Sequence, residues 1–145
     1  MFYGCSTIPN NNYDLDLPRV NPIIKPLVVK FNKYYIKYRH SSLQNTIVVN
    51  FQPIDGSKKC QGVYYSDIDT TVISSEHWND LSALQKEIVV FHELGHHVLK
   101  RGHQEFEPIL HNKCYRSIMY KSGVTDDCYE ESFDYYMEEL FKRGK

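Results

Sequence analysis

The stretch Ser82-Ala83-Leu84-Gln85-Lys86-Glu87-Ile88-Val89-Val90-Phe91-His92-Glu93-Leu94-Gly95-His96-His97-Val98-Leu99 decides how this 145-residue chain folds. Ser82 with Gln85 three residues later fits a capping box, the serine bonding forward and the glutamine reaching back, so a helix starts here. Leu84, Ile88, Phe91 and Val98 then supply an apolar stripe through to about Leu99. His92 and His96 lie on one face of that helix with a rise of roughly 6 Å, so two imidazoles can converge on one ion. Glu93 points about 100° around the helix from His92, which keeps it from ligating easily. Gly95 costs roughly 1 kcal/mol against Ala inside a helix and needs a reason, such as close backbone packing. His97 faces elsewhere and is read as non-ligating. A solvated surface helix would carry the same His and Glu letters, but the cap and the apolar neighbours speak against it.

The pattern His92-Glu93-Leu94-Gly95-His96 is HExxH on a helix, which suits zinc at bond lengths of roughly 2.0–2.1 Å. Glu93 is placed to take a proton from a water that zinc acidifies and to pass it to a leaving amine. A non-catalytic module with structural zinc is the bland alternative, and an intact Glu93 argues against it. A catalytic zinc takes three protein ligands and keeps one position open. His103 is the nearest third candidate. On a continued helix it would lie roughly 16 Å along the axis from His92, so the helix must stop first. Lys100-Arg101-Gly102 supplies the stop, with cations at the C-terminus and Gly102 as a left-handed cap. The rival third ligand is Glu130 or Glu131 at the opening of the last helix, with Glu130 and Asp134 in an ExxxD spacing. That arrangement would make the chain a gluzincin-type peptidase, similar to those that cleave repressors. Acidic residues in a first turn are common on dipole grounds alone, so His103 is favoured.

Outward from this centre, residues 1–20 read as an Asn-rich linker and 21–145 as one folded domain. A helix is expected from Pro26 to about Arg39, with Leu27, Val28, Phe31, Tyr35 and Tyr38 at helical spacing. Thr46–Phe51 is a β-branched strand, and Gly62–Ser66 with Thr70–Ser74 reads as a hairpin. Residues 101 to 126 form a long loop of the kind that carries function. A last helix starts near Asp127 on a second capping-box pattern ending at Glu130, with Phe133, Tyr136, Met137, Leu140 and Phe141 as its buried stripe.

Net charge is −1, and no cationic excess points to nucleic acid. No apolar run approaches the roughly 20 residues of a membrane span. Gly4-Cys5-Ser6 and the polar stretch behind it look like the lipidation site and tether of a bacterial lipoprotein. A plain N-terminus with an incidental Cys fits equally. The first reading implies the cell envelope or periplasm, the second leaves the cytoplasm open, and a monomer is expected in either. Cys114 and Cys128 flank Met119 and are read either as a disulfide in an oxidising compartment or as free buried thiols.

The combination of His92-Glu93-Leu94-Gly95-His96, Gly102-His103 and Ser117-Ile118-Met119 resembles the metzincin peptidases. With the terminal stretch Tyr135–Phe141, it is similar to a group of small bacterial and phage-encoded members. The resemblance implies zinc as cofactor, a peptide substrate and a Met-turn at Met119, where a core methionine is the plainer reading. Tyr115 or Tyr120 would then stabilise the oxyanion, unless both merely pack. It further implies an α/β zincin-like fold: a small mixed twisted sheet, a backing helix, the HExxH helix and a C-terminal helix beneath the site. The strand at Thr70–Ser74 would form the cleft's upper rim, where an extended substrate adds. Two departures stand out: Leu99 occupies the usual Gly position, and His103 falls one residue late.

Overall fold

The structure is a computed structural model that describes residues 15–54, 60–104, 110 and 112–143. Cys5 lies outside the described residues. The described chain is a small mixed α/β protein of four α-helices and a three-stranded sheet. No described helix is long and apolar enough to cross a membrane.

Helix α1 spans Lys25–Arg39, with Pro26 in its first turn and a left-handed C-cap at His40, whose N–H bonds Ile36 O. Its buried face centres on Phe31, which meets Phe91 edge-on at 5.3 Å and Phe141 at 4.8 Å between ring centroids. Those rings come from the HExxH helix and the C-terminal helix, so α1 backs both. Aromatic pairs in such geometry add about 0.5–1.5 kcal/mol beyond the area they bury.

Strands β1 (Val48–Gln52), β2 (Gly62–Tyr65) and β3 (Thr70–Ser74) are arranged β1-β3-β2. β1 pairs β3 in parallel, Asn50 opposite Val72, and β2 pairs β3 antiparallel, Val63 opposite Val72. The expected hairpin is present, but the rim that the resemblance implied at Thr70–Ser74 is not an edge. β3 is the central strand, buried along its whole length and bonded on both sides. β1 and β2 lie at the two edges, and β2 is the one against the HExxH helix at Glu93. An all-buried run such as Thr70-Thr71-Val72-Ile73-Ser74 reads the same from sequence whether its neighbours number one or two.

The linker boundary also moves. Leu17 and Val20, assigned to residues 1–20, lie in the core, and Val20 bridges Val49 in parallel. Short pairings of this kind have no periodicity to betray them.

Helix α2 spans Ala83–His97, capped by Ser82, whose hydroxyl accepts the Gln85 N–H at 3.0 Å. Only half of the box forms. The Gln85 side chain instead donates to Val124 O and Asp126 Oδ1, pinning the following segment to the start of the helix. The predicted last helix is two: α3 (Asp126–Glu131) and α4 (Phe133–Arg143). The N-cap of α3 is Thr125, which accepts the Cys128 N–H, so Asp127 sits inside the first turn rather than capping it. Cys114 and Cys128 are joined in a disulfide, resolving the two readings of that pair.

Candidate metal centre

The second and third turns of α2 are buried nearly all round, which is why His92 and Glu93 are each only 8% exposed. Both helix histidines are fixed through Nδ1. His92 Nδ1 lies 2.6 Å from Ile118 O, and His96 Nδ1 lies 2.6 Å from Arg101 O. A carbonyl only accepts, so each Nδ1 carries the proton and each Nε2 keeps its lone pair. This is the usual way a protein presents an imidazole to a metal.

His103 joins them as expected, although the turn that returns it differs. α2 ends at His97 with Val98 as C-cap, and the left-handed residue is Lys100, φ 56°, not Gly102. Arg101 N–H then reaches back to Gly95 O at 3.0 Å. The sequence signal for Gly102 misled because Gly is only the commonest left-handed residue. One ligand nitrogen from each of His92, His96 and His103 lies within 4.8 Å of the other two. Their ring centroids form a near-equilateral triangle of 4.9, 5.2 and 4.8 Å. Tetrahedral bonds of about 2.0–2.1 Å need nitrogens about 3.4 Å apart. Of the three, His92 is buried, His96 half-buried and His103 exposed.

Three imidazole nitrogens fit zinc better than calcium or magnesium, which demand oxygen. Burial is the main force holding His92 neutral, lowering its pKa to about 4 against the bond to Ile118, with His96 and His103 adding to the effect. Burial likewise lowers His96. Glu93 Oε2 is 4.0 Å from His92 Nε2. With His92 held neutral this is no ion pair; it places the carboxyl beside the nitrogen that His92 could offer to a metal. Burial raises the Glu93 pKa to about 7, opposed by a hydrogen bond from the Tyr64 backbone. Strand β2 presses close at this point: a Cβ on Gly62 would sit 2.8 Å from Glu93 Cγ.

Clefts open on both sides of Glu93. One is lined by Gly62, Ile88, Val89, His92 and Lys121, the other by Tyr64, His96, Lys100 and His103. Tyr115 and Tyr120 line neither; their rings stack on each other at 3.9 Å. Glu130 and Glu131 are exposed, and Glu131 accepts from Asn112. His97 is non-ligating: Nδ1 bonds Thr71 Oγ1 at 2.8 Å, and the ring stacks on Tyr64.

Met119 is fully buried directly against α2, where a Cβ on Gly95 would meet its Sδ at 2.5 Å. That contact supplies the reason Gly95 was expected to have. The sequence missed the buried group behind the centre. Arg101 and Glu139 form an ion pair at 2.7 Å, and Ser117 Oγ donates to the same carboxylate at 2.7 Å. Glu139 reads as one acid among several on an amphipathic helix, and nothing in its spacing marks it as buried.

No family model, curated protein or solved structure matches this chain.

Proposed function

We propose that this chain is a zinc-dependent metallopeptidase, zincin-like in fold and metzincin-like in its site. The observation that carries the reading is the meeting of three imidazole nitrogens beside a buried carboxylate. His92, His96 and His103 would hold the ion. A zinc ion bound there supplies Lewis acidity toward a scissile carbonyl and acidifies water. Glu93 accepts the proton of the attacking water and delivers it to the leaving amine, and a carboxyl poised near neutral pH suits both transfers. The Tyr64 backbone bond holds the carboxylate in place between them. The outer edge of β2, which pairs with no strand among the described residues, runs beside Glu93, and an extended peptide could add there through main-chain bonds. Met119 packs against Gly95, the residue before His96, which supports the Met-turn reading. The Cys114–Cys128 disulfide supports an oxidising compartment, which suits the lipid-tethered reading of Cys5.

The deciding experiment is metal analysis of the purified protein beside a casein or quenched-peptide assay with chelation and zinc re-addition. The expected result is one zinc per chain, with cleavage lost on chelation, restored by zinc, and absent in Glu93→Gln. Equal behaviour of the wild type and Glu93→Gln would end the peptidase reading for those substrates.

A further inference from the structure

We propose that Glu139 is a positioning residue shared by both helix-borne histidines, an inference that rests on the metal-centre reading above. Its two carboxylate oxygens go to different places. Oε2 accepts from the Arg101 guanidinium at 2.7 Å, and Oε1 accepts from Ser117 Oγ at 2.7 Å. Each partner belongs to the segment whose backbone orients one imidazole.

On the first arm, Arg101 is clamped further by donating to Glu139 O and Leu140 O at 3.1 and 3.0 Å. Its own carbonyl is the acceptor for His96 Nδ1. On the second arm, Ser117 Oγ accepts the Met119 N–H at 2.9 Å and closes the turn. The carbonyl held inside that turn, Ile118 O, is the acceptor for His92 Nδ1. Gln104 N–H bonds Met119 O at 2.9 Å, tying the residue after His103 to the same turn. One side chain on α4 therefore fixes the spacing of the two carbonyls that set both tautomers and both ring angles.

Stability alone does not account for this group. The Arg101 and Glu139 side chains are 6% and 4% exposed, and the desolvation of two such charges commonly cancels their attraction. An apolar pair of similar volume would stabilise the fold as well. What it would not do is hold Arg101 O and Ile118 O at a set separation, because apolar contacts have no direction.

The test uses the full chain, with Zn²⁺ and Co²⁺ as probes. Arg101→Met with Glu139→Met removes both charges together and leaves no lone buried ion. Ser117→Ala cuts only the second arm. Circular dichroism of the metal-free proteins reports whether the fold survives. Metal affinity is read by competition with a chromophoric chelator, and ligand geometry by the visible absorption of bound Co²⁺. The expected result is a folded protein whose affinity falls about 10- to 100-fold in the double variant and about tenfold in Ser117→Ala, with a changed Co²⁺ band in both. A folded double variant with wild-type affinity and spectrum overturns the proposal; if that variant does not fold, an unchanged Ser117→Ala does so. Wild-type protein that binds neither ion would instead overturn the metal-centre reading itself, and this inference with it.

Discussion

Gly95 and Met119 are packed so closely that no side chain fits between them: a Cβ on Gly95 would lie 2.5 Å from Met119 Sδ and 3.3 Å from Leu140 Cδ1. Gly95→Ala therefore sets two effects against each other. Alanine gains about 1 kcal/mol of helix propensity, while overpacking a filled core costs about 1–3 kcal/mol. Met119 is fully buried and has little room to yield, so the net expectation is a loss of about 1 kcal/mol. Adding Met119→Ala should cost less in the Gly95→Ala background than in the wild type. Urea unfolding of the four proteins measures that coupling, and strict additivity would show that the two residues do not meet.

How much of this was legible in the sequence depends on the range of the interactions. The cap at Ser82, the helical stripe and the His92–His96 pairing are local, and all lie where the letters put them. His103 was legible as the product of a necessary chain reversal, although Lys100 rather than Gly102 takes the left-handed turn. The position of β3 was not legible, because strand order follows from packing between segments far apart in the chain. The Arg101–Glu139–Ser117 group was hidden for the same reason. Its partners are separated by 38 and 22 residues, and no spacing rule connects them.

His103 is the one member of the histidine triad that is exposed, and its removal should be the most informative. His103→Ala should leave a two-nitrogen site that loses zinc to a mild chelator, while the buried core and the fold remain. Glu130→Ala and Glu131→Ala should keep full zinc content, since both carboxylates face solvent. Inductively coupled plasma analysis after dialysis distinguishes the two outcomes. Full zinc in His103→Ala, with loss in either glutamate variant, would move the third ligand to α3.

Glu93 should also reveal itself through protons. Burial raises its pKa to about 7, so at pH 6 the carboxyl is largely protonated in the metal-free protein. A divalent cation beside it favours the ionised form, so metal binding at pH 6 should expel that proton. His92 contributes little there, since its pKa of about 4 leaves it neutral already. The sign follows for pH: release from Glu93 is large below about 7 and fades above it, where the group is ionised before metal arrives. Zinc titration in weak buffer should show nearly one more proton released by wild type than by Glu93→Gln at pH 6. An equal release would mean that the carboxyl is not held protonated.

The disulfide braces the turn that carries Met119. Cys114 and Cys128 are separated by 14 residues, and between them lie Ser117, Ile118 and Met119 with the carbonyl that orients His92. Closing a loop of that length stabilises a fold by about 3 kcal/mol through the entropy it removes from the unfolded chain. For a chain of this size that corresponds to a melting-point loss of about 6–12 °C on reduction or in Cys114→Ser with Cys128→Ser. Thermal melts with and without reductant measure it. The loss should be present in the metal-free protein, because the loop-closure term belongs to the unfolded state and does not depend on the ion. Zinc in excess should raise both melting points by binding only the folded form, without erasing the difference. A melting point indifferent to reductant in both states would show that the cysteines are not paired in solution.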